Sequence, residues 1–261
     1  MATGNQATQQ ATSPKLRVAH VGKIFERDGN SLTVLEDINF DVSDGEFVCL
    51  VGPSGCGKST LLNLMGGFLA PTTGSISIDG KVVDGPDPRR ILVFQEHGVF
   101  PWLTVEGNIA FGLSKLPRPE REERIAHYVQ LVRLGGFERS YPSDLSGGMK
   151  QRLQVARALA VNPDVLFLDE PFGALDSVTR LIMRGELLRI WHEERRTIIF
   201  VTHDIDEAVQ LADRVVVLSS RPAKIEDLLT VDIAHPRSLS SSRYLQLRDE
   251  LLGKIGLAYS V

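Results

Sequence analysis

The chain has 261 residues, 43% of them hydrophobic, with a formal net charge of -4. That is enough for one large core, or a core with a subdomain, without a disulfide or metal staple, and the slight acidity argues against a bulk nucleic-acid binder. Apolar runs such as Ile198 to Val201 and Val215 to Leu218 are strand length, well short of the roughly 18 residues of a membrane span, and Cys49 and Cys56 form neither a C-x-x-C pair nor a disulfide framework, as suits a reducing compartment.

Residues 1–15 are rich in Ala, Thr and Gln and lack the basic and apolar regions of a signal peptide, so they read as a disordered tail. Leu16 to Val21 and Val34 to Val42 alternate as strands, with a turn near Asp28-Gly29-Asn30. Phe25, between these two runs, is placed either to stack on an adenine ring or to serve as an ordinary hairpin aromatic.

Glu46 to Val51 is a strand that runs into Gly52-Pro53-Ser54-Gly55-Cys56-Gly57-Lys58-Ser59-Thr60, followed by a helix from Ser59 to Met65. This is the G-x-x-x-x-G-K-[ST] pattern in its required setting. Its glycines allow consecutive N–H groups and the helix N-terminus to form a nest for phosphate oxygens. Lys58 is placed to reach the β and γ phosphates, and the Ser59 hydroxyl suits Mg²⁺, which prefers hard oxygen ligands. Cys56 reads as a small residue tolerated in the loop, with oxidation sensitivity as the alternative.

Ser75 to Asp79 reads as a short strand and Ile91 to Phe94 as a buried one that delivers Gln95 to its end. There Gln95 either contacts a bound ion or water or simply starts a loop. Glu120 to Leu134 carries Ile125, Tyr128, Val129 and Val132 at helical spacing. In Leu145-Ser146-Gly147-Gly148-Met149, Ser146 reads as an N-cap; Met149, Leu153, Ala156 and Ala160 then mark one face of a helix.

The apolar run Val165 to Leu168 ends in Asp169-Glu170, at the strand end where ligands of open α/β sheets bind. Asp169 is placed to hold Mg²⁺ through water and Glu170 to act as general base on an attacking water. Thr197 to Val201 is a further strand, followed by Thr202-His203-Asp204. Asp204 and Glu207 form a capping-box pattern, which points His203 toward the same edge.

Taken together, these residues resemble the ATP-binding-cassette family, over nearly all of Leu16 to Leu218. The resemblance rests on the phosphate loop, Gln95, the Leu145 to Met149 signature, Asp169-Glu170, Gly173-Ala174-Leu175-Asp176 and His203, in the family's order. It implies a P-loop NTPase (RecA-like) α/β core, an antiparallel β subdomain and a helical signature subdomain over about 96–160. The cassette would span 16–220, with 221–261 as a C-terminal extension.

The resemblance also implies two cassettes stacked head to tail around two ATP molecules. Ser146, Gly147 and Gly148 of one chain would contact the γ phosphate bound by the other, with Asp176 joining the two sites. His203 would hold the γ phosphate and the attacking water, Phe25 would stack on adenine, and Gln95 would sense the γ phosphate and Mg²⁺. Met149 departs from the family's usual glutamine, and a thioether donates no hydrogen bond, so a side-chain contact to the ribose is not expected there.

The absence of a long β-rich regulatory domain after Leu218, the stretch from Phe94 to Val105 with Asn108, the Met149 variant and Ser220-Arg221-Pro222 are all similar to the nitrate, sulfonate and taurine importer group. The implied partners are a second cassette, an integral membrane permease and, through it, a solute-binding protein, at the cytoplasmic face of the inner membrane. Phe100 and Trp102 either line the permease socket or bury in the helical subdomain. An exporter ATPase shares the same engine. A soluble cassette acting on nucleic acid or the ribosome would carry a coiled-coil insertion or two cassettes, and neither is present.

Overall fold

In the computed structural model, residues 13–27, 29–94, 98–173 and 175–256 are described. Asp28, Gln95, Glu96, His97, Ala174, the first twelve residues and residues 257–261 therefore lie outside the described residues, and with them the reading of Gln95, part of the Asp28-Gly29-Asn30 turn and most of the tail.

Two sheets and a helical layer make up the fold. The strands β1 (Leu16–Arg27), β2 (Asn30–Val42), β4 (Thr73–Ile78) and β5 (Lys81–Val82) form an antiparallel sheet of order β2-β1-β4-β5. β1 runs past Val21 through a register shift to Arg27, so Phe25 lies within the strand, opposite Leu32.

The core sheet has the order β10-β9-β3-β8-β7-β6, from β3 (Phe47–Val51), β6 (Arg90–Val93), β7 (Val165–Asp169), β8 (Thr197–Val201), β9 (Arg214–Leu218) and β10 (Ile225–Thr230). Its pairings are parallel except for β10, which runs antiparallel to β9. A strand covered on both faces reads as a continuous apolar run, as Phe47 to Val51 and Thr197 to Val201 do. Successive side chains then divide between two cores: Phe47, Cys49 and Val51 join one, Val48 and Leu50 the other. The second core also takes Leu61, Leu62 and Met65 of α1 (Lys58–Gly66) and the inner face of the antiparallel sheet.

The helical layer consists of α2 (Val105–Ala110), α3 (Arg118–Leu131) and α4 (Gly147–Ala160), packed on one another. Leu153, Ala156 and Ala160 of α4 are buried, and Met149 packs partly against them. Asn108 of α2 is fully buried, and its amide bonds the backbone at Phe100, Leu103 and Thr104, which fixes the loop ahead of the helix.

On the same face of the sheet, in the same core as this layer, lie α5 (Ser177–Glu194), α6 (Ile205–Leu211) and α7 (Ser242–Lys254). Tyr244, Leu247 and Leu251 of α7 are buried, and the Tyr244 hydroxyl donates to Asp206 Oδ1 at 3.0 Å. With β10 in the sheet and α7 on α6, the described part of 221–261 packs into the same core as the strands before it.

Candidate nucleotide site

Because β3, β8 and β7 lie side by side, their carboxyl ends bring three segments together: the loop from Gly52, Thr202-His203, and Asp169-Glu170. Thr202 N donates to Leu50 O at 3.3 Å and Glu170 N to Val201 O at 3.0 Å, which ties each segment to its neighbour.

The loop's shape is set by glycines in the left-handed region. Gly55 has φ 74° and Gly57 φ 127°. A Cβ on Gly57 would stand 2.9 Å from both Val34 Cγ1 and Leu35 Cδ2, so β2 packs against a bare backbone. Cys56 is buried in the core, consistent with its reading as a small packing residue. Gly57 caps α1. Lys58 is only 6% exposed, and its Nζ donates to Gly52 O at 2.8 Å and to Pro53 O at 3.0 Å.

Next to the loop is a pocket of about 460 Å³ lined by Phe25, Leu32, Val34, Ser54, Gly55, Gly57, Lys58, Ser59, Thr60, Glu170 and Arg221. Phe25 offers a partly exposed ring, with Lys23 Nζ 5.0 Å from its centroid. Arg221 was marked from sequence only as part of the Ser220-Arg221-Pro222 resemblance, not as a residue of this site. It comes from the turn after β9, far along the chain, and only the fold brings it here.

Burial raises the pKa of the Asp169 carboxylate above the usual range, while a hydrogen bond from Ser59 opposes the shift and the Glu170 charge adds to it. A desolvated carboxylate beside a hydroxyl is a hard-oxygen pair that fits Mg²⁺. Among the described residues no group of three or more His, Cys, Asp or Glu could hold a metal.

Glu170 has φ 45°, a left-handed conformation uncommon for a residue with a side chain and of the kind that clusters at functional sites. Its Oε2 lies 3.0 Å from His203 Nδ1. Behind His203, Asp204 accepts from Glu207 N and so caps α6. The reciprocal half of the capping box is not made. Glu207, 4% exposed, turns inward to accept from Thr202 Oγ1 at 2.6 Å and from Arg184 at 3.2 Å, because a buried carboxylate needs a cation and donors more than the helix end needs a second cap.

Ser146 caps α4, accepting from Met149 N at 3.3 Å. Ser146 and Gly147 are exposed and lie beside the start of α5: a Cβ on Gly147 would meet Leu175 Cδ2 at 3.6 Å. Asp176 caps α5, accepting from Val178 N and Thr179 N. Ser146, Gly147 and Asp176, all exposed, and the half-buried Gly148 form a second group that does not line the Lys58 pocket.

A family profile described as ABC transporter matches residues 35–173. The aliphatic sulfonates import ATP-binding protein SsuB of Bacillus cereus is 47% identical over 232 residues, covering 89% of this chain and 92% of that protein. An uncharacterized ABC transporter ATP-binding protein of Methanocaldococcus jannaschii is also 47% identical, over 91% of this chain and 90% of its own.

Among solved structures, a dimeric bacterial ABC transporter cassette superposes with TM-score 0.71 at 31% identity, covering 84% of this chain and all of that one. A cassette from Clostridium perfringens, part of the ABC transporter complex cbiONQ, gives TM-score 0.76 at 28% identity over 84% of this chain and 90% of its own. With the phosphate loop, the paired carboxylates and the signature helix arranged as described, the chain belongs to the ABC transporter family, as an ATP-binding and ATP-hydrolysing cassette.

Proposed function

We propose that this cassette works as a pair around two ATP molecules and energises import of a small anionic or organic solute of the nitrate, sulfonate or taurine class. The observation that carries the reading is the convergence of Lys58, Asp169, Glu170 and His203 at the carboxyl end of one sheet, with Ser146, Gly147, Gly148 and Asp176 gathered apart from it at the N-terminal ends of α4 and α5. A site divided in this way suits completion by a second copy. The structure solved as a dimer and the relatives named for sulfonate import support the partner and the solute class respectively.

In this reading Phe25 stacks on adenine, and the loop from Gly52 to Thr60 holds the phosphate chain. Lys58 leaves its two carbonyl partners to meet the β and γ oxygens. Ser59 and Asp169, with Gln95, hold Mg²⁺, which supplies neutralisation of phosphate charge. Glu170 accepts a proton from the attacking water, and His203 fixes the carboxylate that does so. Ser146, Gly147 and Gly148 reach the γ phosphate of the partner's nucleotide, with Asp176 between the sites.

The permease contact falls at a groove of about 280 Å³ lined by Phe94, Gly98, Phe111, Arg157 and Val161. Phe94 and Phe111 are exposed at its wall; Trp102, 68% exposed, stacks on Phe100 at 5.3 Å nearby. Exposed aromatics at a groove are an interaction surface. No described helix is long and apolar enough to cross a membrane, so the cassette would sit peripherally, on the cytoplasmic face of the inner membrane under a separate permease fed by a solute-binding protein.

The test is uptake of labelled taurine, an alkanesulfonate and nitrate by cells in which this chain is replaced by its Glu170→Gln variant. Loss of uptake of one of the three assigns the solute, and unchanged uptake of all three sinks the importer reading. The same variant, solubilised with ATP in mild detergent, is expected to retain an integral membrane permease. Recovery of soluble proteins or nucleic acid alone would favour a soluble cassette.

A further inference from the structure

The turn that follows β9 is built to hold one side chain over the phosphate loop. Ser219 N donates to Lys224 O and Lys224 N to Ser219 Oγ, both at 2.9 Å, closing its neck. Ala223, fully buried, fastens the turn to β2: its N–H donates to Val34 O and its carbonyl accepts from Glu36 N, both at 2.9 Å. Lys224 Nζ adds an ion pair to Glu36 at 3.0 Å.

At the tip, Arg221 Nη2 donates to the carbonyl of Gly55, and the side chain lines the pocket with Phe25, Leu32 and Lys58. The peptide plane between Gly55 and Cys56 is thereby held at both ends, because Cys56 N donates to Pro53 O at 3.2 Å. Gly55 is exposed, with φ 74°, and a glycine peptide is one that can reorient at little steric cost. An N–H nest for phosphate works only while its peptides keep one orientation.

We propose that Arg221 is a positioning residue of the nucleotide site. It pins the Gly55–Cys56 peptide, and through the turn it joins the strand on the base side of the pocket to the loop on the phosphate side. The loop then meets nucleotide already ordered, and binding does not carry the entropic cost of ordering it. This inference rests on the reading of the pocket as the ATP site.

The test uses the purified chain and its Arg221→Met and Arg221→Lys variants. Affinities for ATP, ADP and AMP are measured with Mg²⁺ by competition against a fluorescent nucleotide, and thermal unfolding is followed without nucleotide. Arg221→Met is expected to weaken ATP and ADP by the same factor, about three- to tenfold, the net size of one ordinary hydrogen bond, since Arg221 is exposed. Its melting temperature should stay within about 2 °C, and Arg221→Lys should recover at least half of the lost affinity.

Unchanged affinities in a folded Arg221→Met variant overturn the proposal. A loss graded with phosphate charge, largest for ATP and least for AMP, overturns it in favour of direct contact with the phosphates. A melting temperature that falls steeply in step with affinity reduces Arg221 to a stability residue, and so also overturns it. Failure of the unaltered chain to bind any of the three nucleotides defeats the ATP-site reading itself, and needs no variant to be seen.

Discussion

His203 Nδ1 and Glu170 Oε2 stand 3.0 Å apart across the ends of adjacent strands, so neither side chain is oriented independently of the other. Glu170→Gln is expected to bind ATP within about twofold of the unaltered chain and to hydrolyse it about 10²- to 10³-fold more slowly. His203→Ala should lose about 10²-fold. Because the two act as a unit, the double variant should be little slower than Glu170→Gln alone, as read by phosphate release at saturating ATP. Losses that multiply would mean that the pair does not work together.

Gly57 has no room for a side chain, since the added carbon would sit 2.9 Å from two buried residues of β2 and the backbone is at φ 127°. Gly57→Ala is expected to destabilise the protein by about 1–3 kcal/mol in urea unfolding and to abolish tight ATP binding. An unchanged unfolding midpoint would show that β2 can yield, and that the close approach is not required.

Arg184, 7% exposed, lies 2.5 Å from Asp204 Oδ2 and 3.2 Å from Glu207 Oε1. Burial pushes Glu207 above the usual carboxylate range, against the pull of Thr202 and Arg184. Removing the guanidinium leaves that carboxylate with less compensation, at a cost of about 3–5 kcal/mol. Arg184→Met should show this in equilibrium unfolding, and the double variant with Glu207→Leu should recover more than half. No recovery would mean that Arg184 acts through packing.

His235 packs 5.8 Å from Trp191 and 5.3 Å from His192, ring centre to ring centre. Burial, with the charges of Arg237, His192 and Arg195, lowers its pKa to about 4. As pH falls below about 6.5 the unfolded chain takes up this proton first, so stability drains from there down to about 4 and is constant beyond. With its partial exposure discounted, the effect over that window is on the order of 1–2 kcal/mol. His235→Phe keeps the ring and removes the titration. Its stability relative to the unaltered chain should therefore rise by that amount between pH 7 and pH 4, and a constant difference would refute the assignment.

Much of the site was legible because its chemistry is local. The phosphate loop, the Ser146 cap and the carboxylates after Leu168 each depend on a few consecutive residues whose backbone needs are visible in their types. Pairing is a different matter. That β8 lies between β3 and β7, bringing His203 against Glu170, is decided by packing between strands of similar apolar character.

Arg221 was out of reach for the same reason: its partner, Gly55, is distant in sequence, and an arginine in a turn looks solvated. At Asp204 and Glu207 the spacing correctly marked one cap, but the motif carried no sign that Arg184 would draw the second carboxylate inward. The strand Ile225–Thr230, with charged residues in its first half, gave a weak apolar signal because it is an edge strand.

The strand order has a consequence for biosynthesis. The strand that leads into the phosphate loop pairs with Thr197–Val201 and Arg214–Leu218, and with no strand made earlier. While the ribosome is still adding the signature helix and the carboxylate strand, Phe47 to Val51 has neither of its hydrogen-bonding neighbours, and the apolar face of α1 has only part of its cover. Long-range parallel pairing of this kind is slow and leaves apolar surface exposed meanwhile. A nascent chain stalled before Leu218 should therefore be a client for chaperones and unable to retain nucleotide.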